Sequence, residues 1–319
     1  MIIGLVANPV SSKDIRRLTG LARVVDIEEK ANLTARLLVG IGPDSGAEVL
    51  AFDDSSGLVR RAVKLAGRAG PTVDFLRIEP NDDESDTRRA AALLAEHSAE
   101  ALVTVGGDGT VRSAVEGWAD VRLVPLAAGT NNAFNLTDEP TVIGVALMTA
   151  LSQGDFGAFV PTTALAVDTT SGRSTAVVDV VSVGGPWLGS GAIWDPAILR
   201  QAVVTSARPT AVGIASVSAT FGPLAAGFAR WIRFGGESTV RAVFGPGLVL
   251  DVPVAAHEDG GIGSTYRIAD GSVLALDGER RLPSLGSVIT VVEGPSVLDP
   301  TLALTRSGPS PLPDRRPDG

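Results

Sequence analysis

The sequence predicts an α/β fold in two parts, an N-terminal parallel-sheet α/β domain followed by a β-rich, mainly antiparallel C-terminal domain. Three observations carry this. Short β-branched runs alternate with helical periodicity through the first half, the pattern of βαβ units with right-handed crossovers. Near residue 155 the alternation gives way to short strands separated by glycine-containing turns. Two strings, glycine-rich at 106–110 and asparagine-rich at 127–135, each directly follow an apolar run, at the strand ends where open parallel sheets bind ligands.

Residues 2–7 are apolar and read as the first strand, followed by a polar loop and a helix at 28–39. Strand and helix then alternate as 48–52 and 57–68, 72–78 and 86–97, 101–105 and 111–118. A strand at 122–126 and a helix at 142–151 close the series. In the second half, 164–168 and 174–183 flank a hairpin-length loop. Asp195 and Pro196 predict a capped helix over 195–205. After Arg230, strands are expected at 239–243, 248–252, 266–268, 272–276 and 287–292. The domain reading is 1–138 for the α/β unit and 139–299 for the β-rich unit, with 306–319 a proline-containing disordered tail.

Composition narrows the chemistry. The 319 residues carry 36 acidic and 27 basic side chains, a net charge of −9, so nucleic acid and anionic membranes are not expected partners. There is no cysteine, which excludes disulfides, thiolate metal sites and a thiol nucleophile, and with two histidines acid–base work falls to carboxylates. The uncharged stretch 209–229 is interrupted by glycines and prolines and does not read as a membrane span. The expected location is cytoplasmic.

The strongest chemical signal is Gly106-Gly107-Asp108-Gly109-Thr110. Three glycines around one acid let the backbone pass close to a ligand and aim N–H groups at phosphate oxygens, with a helix start adding positive partial charge. Asp108 there either holds Mg²⁺ or accepts a proton from an attacking hydroxyl. Gly129, Thr130, Asn131 and Asn132 supply neutral donors and acceptors after the next strand. Asn8, Ser11, Ser12 and Lys13, leaving the first strand, belong to the same edge. The acidic run 82–86 reads as a helix-capping loop, 40–46 as a turn, His97 as a late helical residue and His257 as part of a surface loop. Trp187 and Trp194 read as packing residues.

Together these strings resemble the superfamily that joins NAD kinases to diacylglycerol and sphingosine kinases, and within it the ATP-NAD kinase-like branch typified by acetoin catabolism protein X. The resemblance rests also on Asp14-Ile15-Arg16-Arg17, Glu29-Lys30-Ala31-Asn32, Trp194-Asp195-Pro196 and Leu276-Asp277-Gly278-Glu279-Arg280. It implies ATP and Mg²⁺ in a cleft between the domains, and a last strand returning to the first domain, here about 300–305. Asp108 and Asp277 are then the metal-organising acids, with Asp108 or Glu279 taking the acceptor proton. The implied activity is transfer of the ATP γ-phosphoryl group to a hydroxyl of a small molecule. NAD(H) is the acceptor that the family suggests; the alternatives are a nucleoside, sugar or polyol, or a nucleotide-binding regulator without transfer. A homodimer is compatible with this reading. The chain departs from NAD kinases in having no asparagine after Asn135 and no Thr-Pro-Thr-Gly-Ser-Thr-Ala-Tyr-like string.

Overall fold

A computed structural model of the chain describes residues 1–11, 21, 24–129, 132–184, 195–268, 273–278, 280–283 and 286–306. The expected tail and the expectations on Asp14–Arg17, Trp187 and Trp194 lie outside these residues.

The first half builds the parallel sheet. Strands β1 (Ile2–Ala7), β2 (Glu48–Ala51), β3 (Thr72–Phe75), β4 (Ala101–Gly106) and β5 (Arg122–Ala127) lie in the order β3-β2-β1-β4-β5, all parallel. The central strands are buried on both faces, which is why they read as continuous apolar runs. Helices α1 (Ile27–Ile41), α2 (Leu58–Ala66) and α5 (Pro140–Ser152) cover one face. Helices α3 (Glu84–Glu96) and α4 (Asp108–Gly117) cover the other. Capping fixes several starts: Asp26 accepts from the Glu29 amide, Asp83 from that of Ser85, and Glu139 precedes Pro140 at the first helical position. Gly40 of α1 and Gly144 of α5 let these helices touch backbone to backbone; a Cβ on Gly40 would stand 2.2 Å from the Thr141 carbonyl oxygen.

The second half extends this sheet and builds another. Strands β6 (Phe159–Thr169) and β7 (Gly172–Ala176) form the expected hairpin, on the edge of the first sheet. The chain then crosses at Val177-Val178 into a second sheet, wholly antiparallel among the described residues. Its order is β11-β10-β9-β8-β13-β14, from β8 (Asp179–Val183), β9 (Leu199–Val204), β10 (Phe228–Gly245), β11 (Leu248–Gly261), β13 (Val273–Leu276) and β14 (Arg280–Pro283). Strand β12 (Thr265–Arg267) returns to the first sheet beside β15 (Val288–Leu298).

Several sequence expectations are corrected. The helix expected over 195–205 is one 3₁₀ turn, Pro196–Ile198, followed by strand β9. Asp195 caps as expected, but residues 199–204 pair on both sides, and ladder pairing outweighs the local helical start. The single strand read over 174–183 is two strands in different sheets. The returning strand is β15, which pairs parallel to β5 through Ser296 and Val297. Its continuation past residue 292 was hidden by Gly294-Pro295, which sit at a bulge opposite β6. Residues 300–305, expected as that strand, lie in helix α7 (Pro300–Arg306), with Asp299 accepting from the Leu302 amide. His257 lies in β11, stacked on Phe221 at 4.0 Å, and not in a loop. The stretch 209–229 contains the short helix α6 (Ile214–Ala219) and enters β10 at Phe228, and no helix among the described residues is long and apolar enough to cross a membrane.

Candidate active site

The strand order reverses direction at β1 and β4, so their carboxyl ends open the crevice that such sheets use for ligands. Three segments meet there. The loop leaving β1 is tied to the others: the Asn8 amide nitrogen Nδ2 donates to Thr110 Oγ1 at 3.1 Å, and Ser11 Oγ donates to the Ala128 carbonyl at 3.2 Å. The loop after β5 lies against the turn after β4, with the Ala128 N–H donating to the Gly106 carbonyl at 2.9 Å. The glycines are what permit this contact. A Cβ on Gly129 would stand 2.5 Å from Gly107 Cα, and one on Gly106 would stand 2.2 Å from Thr110 Oγ1. The two strings that were expected to be neighbours are brought together.

Gly107 occupies the N-cap of α4, and Asp108 and Thr110 lie in its first turn. The helix start therefore presents its positive end to the crevice. Asp108 is 3% exposed, and its carboxylate accepts from the Ala133 N–H at 3.1 Å, the Phe134 N–H at 3.0 Å and Asn135 Nδ2 at 2.8 Å. It thus shapes the segment between the crevice and the second half. Asn132 closes its own turn, accepting from the Gly129 N–H and donating to the Gly129 carbonyl. Ser12, Lys13, Thr130, Asn131 and Glu279 lie outside the described residues.

Asp277 has a different task from the metal ligand expected. Its side chain is fully buried, and Oδ1 accepts from the amides of Val177, Val178 and Asp179 at 3.0, 2.8 and 3.2 Å. It therefore clamps the crossover between the two sheets. Its backbone adopts the left-handed region at φ 49°, entering the Asp277-Gly278 turn. Burial pushes its acid up to about 6, against the pull of Arg112 and the three amides. Arg112, itself buried, donates to the Leu276 carbonyl at 3.0 Å and lies 3.7 Å from Asp277 Oδ2 and 3.3 Å from Glu84. Arg112 thus joins α4, in the first half, to the second sheet.

Two cavities open nearby, one beside the loop leaving β1 and one beside residues 133–136. One of about 540 Å³ lies at the carboxyl ends of β1 and β2, walled by Asn8, Pro9, Phe52 and Thr87 together with Asp26, Asp54, Asp82, Asp83 and Asp86. Much of this acidity serves local structure: Asp26 and Asp83 cap helices, Asp54 accepts from the Leu58 and Val59 amides, and Asp86 holds the 81–82 turn. The acidic run is the capping loop expected, and it also forms a cavity wall, which its sequence does not reveal. The other cavity, about 490 Å³, lies between Ala133, Phe134 and Leu136 and the 205–209 and 223–227 segments, with hydroxyls from Thr162, Thr163, Thr205 and Ser206. Sequence reasoning missed Arg112 and the bonding of Lys30, which entered only within the Glu29-Lys30-Ala31-Asn32 string; Asn135, one of the three asparagines read as donors and acceptors, is a partner of the Asp108 carboxylate.

Among the described residues no group of three or more His, Cys, Asp or Glu is placed to hold a metal ion. Mg²⁺ commonly keeps several waters and takes one or two carboxylates plus substrate phosphates, so a protein cage is not required. Asp108 is the acid at the crevice that fits such a role; Asp277, buried and facing Arg112, does not.

The fold and crevice define a class, an α/β protein with a ligand crevice at the switch point of its parallel sheet, and residues 3–155 match the family model described as the ATP-NAD kinase N-terminal domain. Residues 163–291 match the acetoin catabolism protein X C-terminal domain. The chain is 34% identical over 305 residues to acetoin catabolism protein X of Cupriavidus necator, spanning 88% of this chain and 84% of that protein. It belongs to the acetoin catabolism protein X family. Among solved structures, a protein described as a diacylglycerol kinase from Bacillus anthracis strain Sterne aligns with TM-score 0.46 and 11% identity, over 93% of this chain and 97% of that one.

Proposed function

We propose that the chain is an ATP-dependent phosphotransferase that moves the γ-phosphoryl group to a hydroxyl of a small molecule. The observation carrying this is the contact between the Gly106–Thr110 turn and the Gly129 loop at a helix start, under the loop from β1. Phosphoryl transfer depends on positioning and charge neutralisation, which peptide amides and a helix N-terminus supply. The polyphosphate lies against these loops, and the acid-walled cavity beside them takes the uncharged nucleoside, whose hydroxyls donate to carboxylates. Bound Mg²⁺ would neutralise developing charge on the phosphates. Asp108 orders the 133–135 segment between donor and acceptor. Glu279, by its place in Asp277-Gly278-Glu279, takes the acceptor proton. The acceptor occupies the cleft walled by Phe134, Thr162, Thr205 and Ser206.

The description of the amino-terminal family model suggests NAD(H) as acceptor, and the name of the Cupriavidus necator relative points to acetoin catabolism. A second acceptor class, a nucleoside, sugar or polyol, is favoured by the absence of any asparagine beyond Asn135. An ATP-consumption assay with NAD and a panel of hydroxyl compounds tests the proposal. Consumption that requires one acceptor and falls on the order of 10²-fold or more in Glu279→Gln supports it. ATP binding without consumption for any acceptor overturns transfer and leaves a nucleotide-binding regulator.

A further inference from the structure

Arginine supplies 24 of the 27 basic residues, and only Lys13, Lys30 and Lys64 are lysines. One of these three, Lys30, is 0% exposed and heads the fully buried side chains by size. Its position runs against local preference. It lies in the first turns of α1, behind the Asp26 cap and beside Glu28 and Glu29, where the helix dipole favours anions and disfavours a cation. Burying an ammonium is also costly unless it is well bonded. One loop supplies three bonds to it: Nζ donates to the carbonyls of Asn8 at 3.0 Å, Pro9 at 3.0 Å and Ser11 at 2.6 Å. A compact ammonium with three rotatable donors suits such convergent carbonyls, whereas a planar guanidinium fork does not.

We propose that Lys30 is the positioning residue of the phosphate loop, folding Asn8–Ser11 around its ammonium and holding a fixed positive charge beneath it for the polyphosphate of a nucleotide. This rests on the nucleotide reading above. The loop it organises is the one that bridges both glycine strings, through Asn8 to Thr110 and Ser11 to Ala128. Drawing the carbonyls of residues 8, 9 and 11 onto Lys30 commits their negative ends to the ammonium. Asn8, Pro9 and Val10 wall the 540 Å³ cavity while Lys30 does not, so its influence is exerted through the loop and through its charge.

The test is Lys30→Met in the full chain, which keeps the side-chain length and removes the charge, with MgATP and adenosine binding measured by calorimetry. MgATP should bind at least about tenfold more weakly, since a charge-assisted phosphate interaction is lost. Adenosine binding should stay within about twofold, because the acid-walled cavity is intact. A merely structural lysine would weaken both alike. Equal losses for the two ligands, or no loss for MgATP, overturn the proposal. If wild-type protein binds no MgATP, the nucleotide reading itself fails. Should Lys30→Met not fold, ¹⁵N-lysine labelling of the wild type decides. Of the three Nζ signals, the one protected from exchange should shift on adding MgATP while that of exposed Lys64 stays fixed; a protected signal that does not respond overturns the proposal.

Discussion

Replacing Asp277 with asparagine removes an ionisable group from the crossover between the sheets while keeping an oxygen for the amides of residues 177–179. The consequence is a change in how stability depends on pH. Burial raises the Asp277 acid from 3.8 to about 6 in the folded chain, working against Arg112 and the three amide bonds. In the unfolded chain the group titrates at its ordinary value. Between these two values the folded state holds a proton that the unfolded state has released, so lowering the pH through this window stabilises the fold. The contribution is complete below the unfolded pKa and is lost as pH rises through about 6. A shift of about two units at 1.36 kcal/mol each corresponds to roughly 3 kcal/mol. Urea unfolding midpoints of wild type and Asp277→Asn, compared from about pH 4 to pH 7.5, isolate this group from the other carboxylates. The wild type should lose roughly 2 kcal/mol relative to the variant as pH rises across that range, the rest of the contribution lying below pH 4. A difference between the two proteins that is flat with pH refutes the reasoning.

Asp108→Asn turns an NH₂ donor toward amides that already donate and displaces the 133–135 segment, so turnover should fall on the order of 10²-fold, as read by ATP consumption. The same change should cost about 1–3 kcal/mol in urea unfolding, because a buried N–H loses its acceptor. Gly129→Ala forces a methyl into Gly107, and the loops must part; MgATP affinity should drop at least about tenfold, with a stability loss of about 1–3 kcal/mol by thermal unfolding. Arg230→Met should behave in the opposite way. Arg230 is buried, pairs with Asp259 through two bonds and donates to the Ser218 and Gly222 carbonyls. Its loss should cost up to about 3–5 kcal/mol, less where the partly exposed Asp259 is rehydrated, and leave the MgATP dissociation constant unchanged.

The α/β half was legible because burial on both faces forces continuous apolar strands, and because Asp26, Asp83 and Pro140 mark helix starts in the sequence itself. The glycine strings were legible for a related reason: a run such as Gly106-Gly107-Asp108-Gly109 is costly in chain entropy unless the backbone needs a close approach. What failed were features decided by distant partners. Residues 199–204 carry a helix-like start but are held between β8 and β10. The strand ending at Leu298 looked finished at residue 292 because a bulge containing Gly294 and Pro295 interrupts its pattern. Asp277 is a metal-organising acid only by the resemblance of Asp277-Gly278-Glu279; the amides it binds lie about 100 residues earlier, at 177–179, where no local pattern points to them. Lys30 gave no periodicity signal at all. Its role comes from three carbonyls on a loop some twenty positions earlier.

A structure of the chain with a non-hydrolysable ATP analogue and Mg²⁺ addresses the central claim most directly. The β- and γ-phosphates should lie within hydrogen-bond distance of the backbone amides at 107–109, where α4 begins, with the nucleoside in the cavity walled by Asp26, Asp54 and Asp86. Well-defined nucleotide bound elsewhere, with this crevice holding only solvent, would contradict the account.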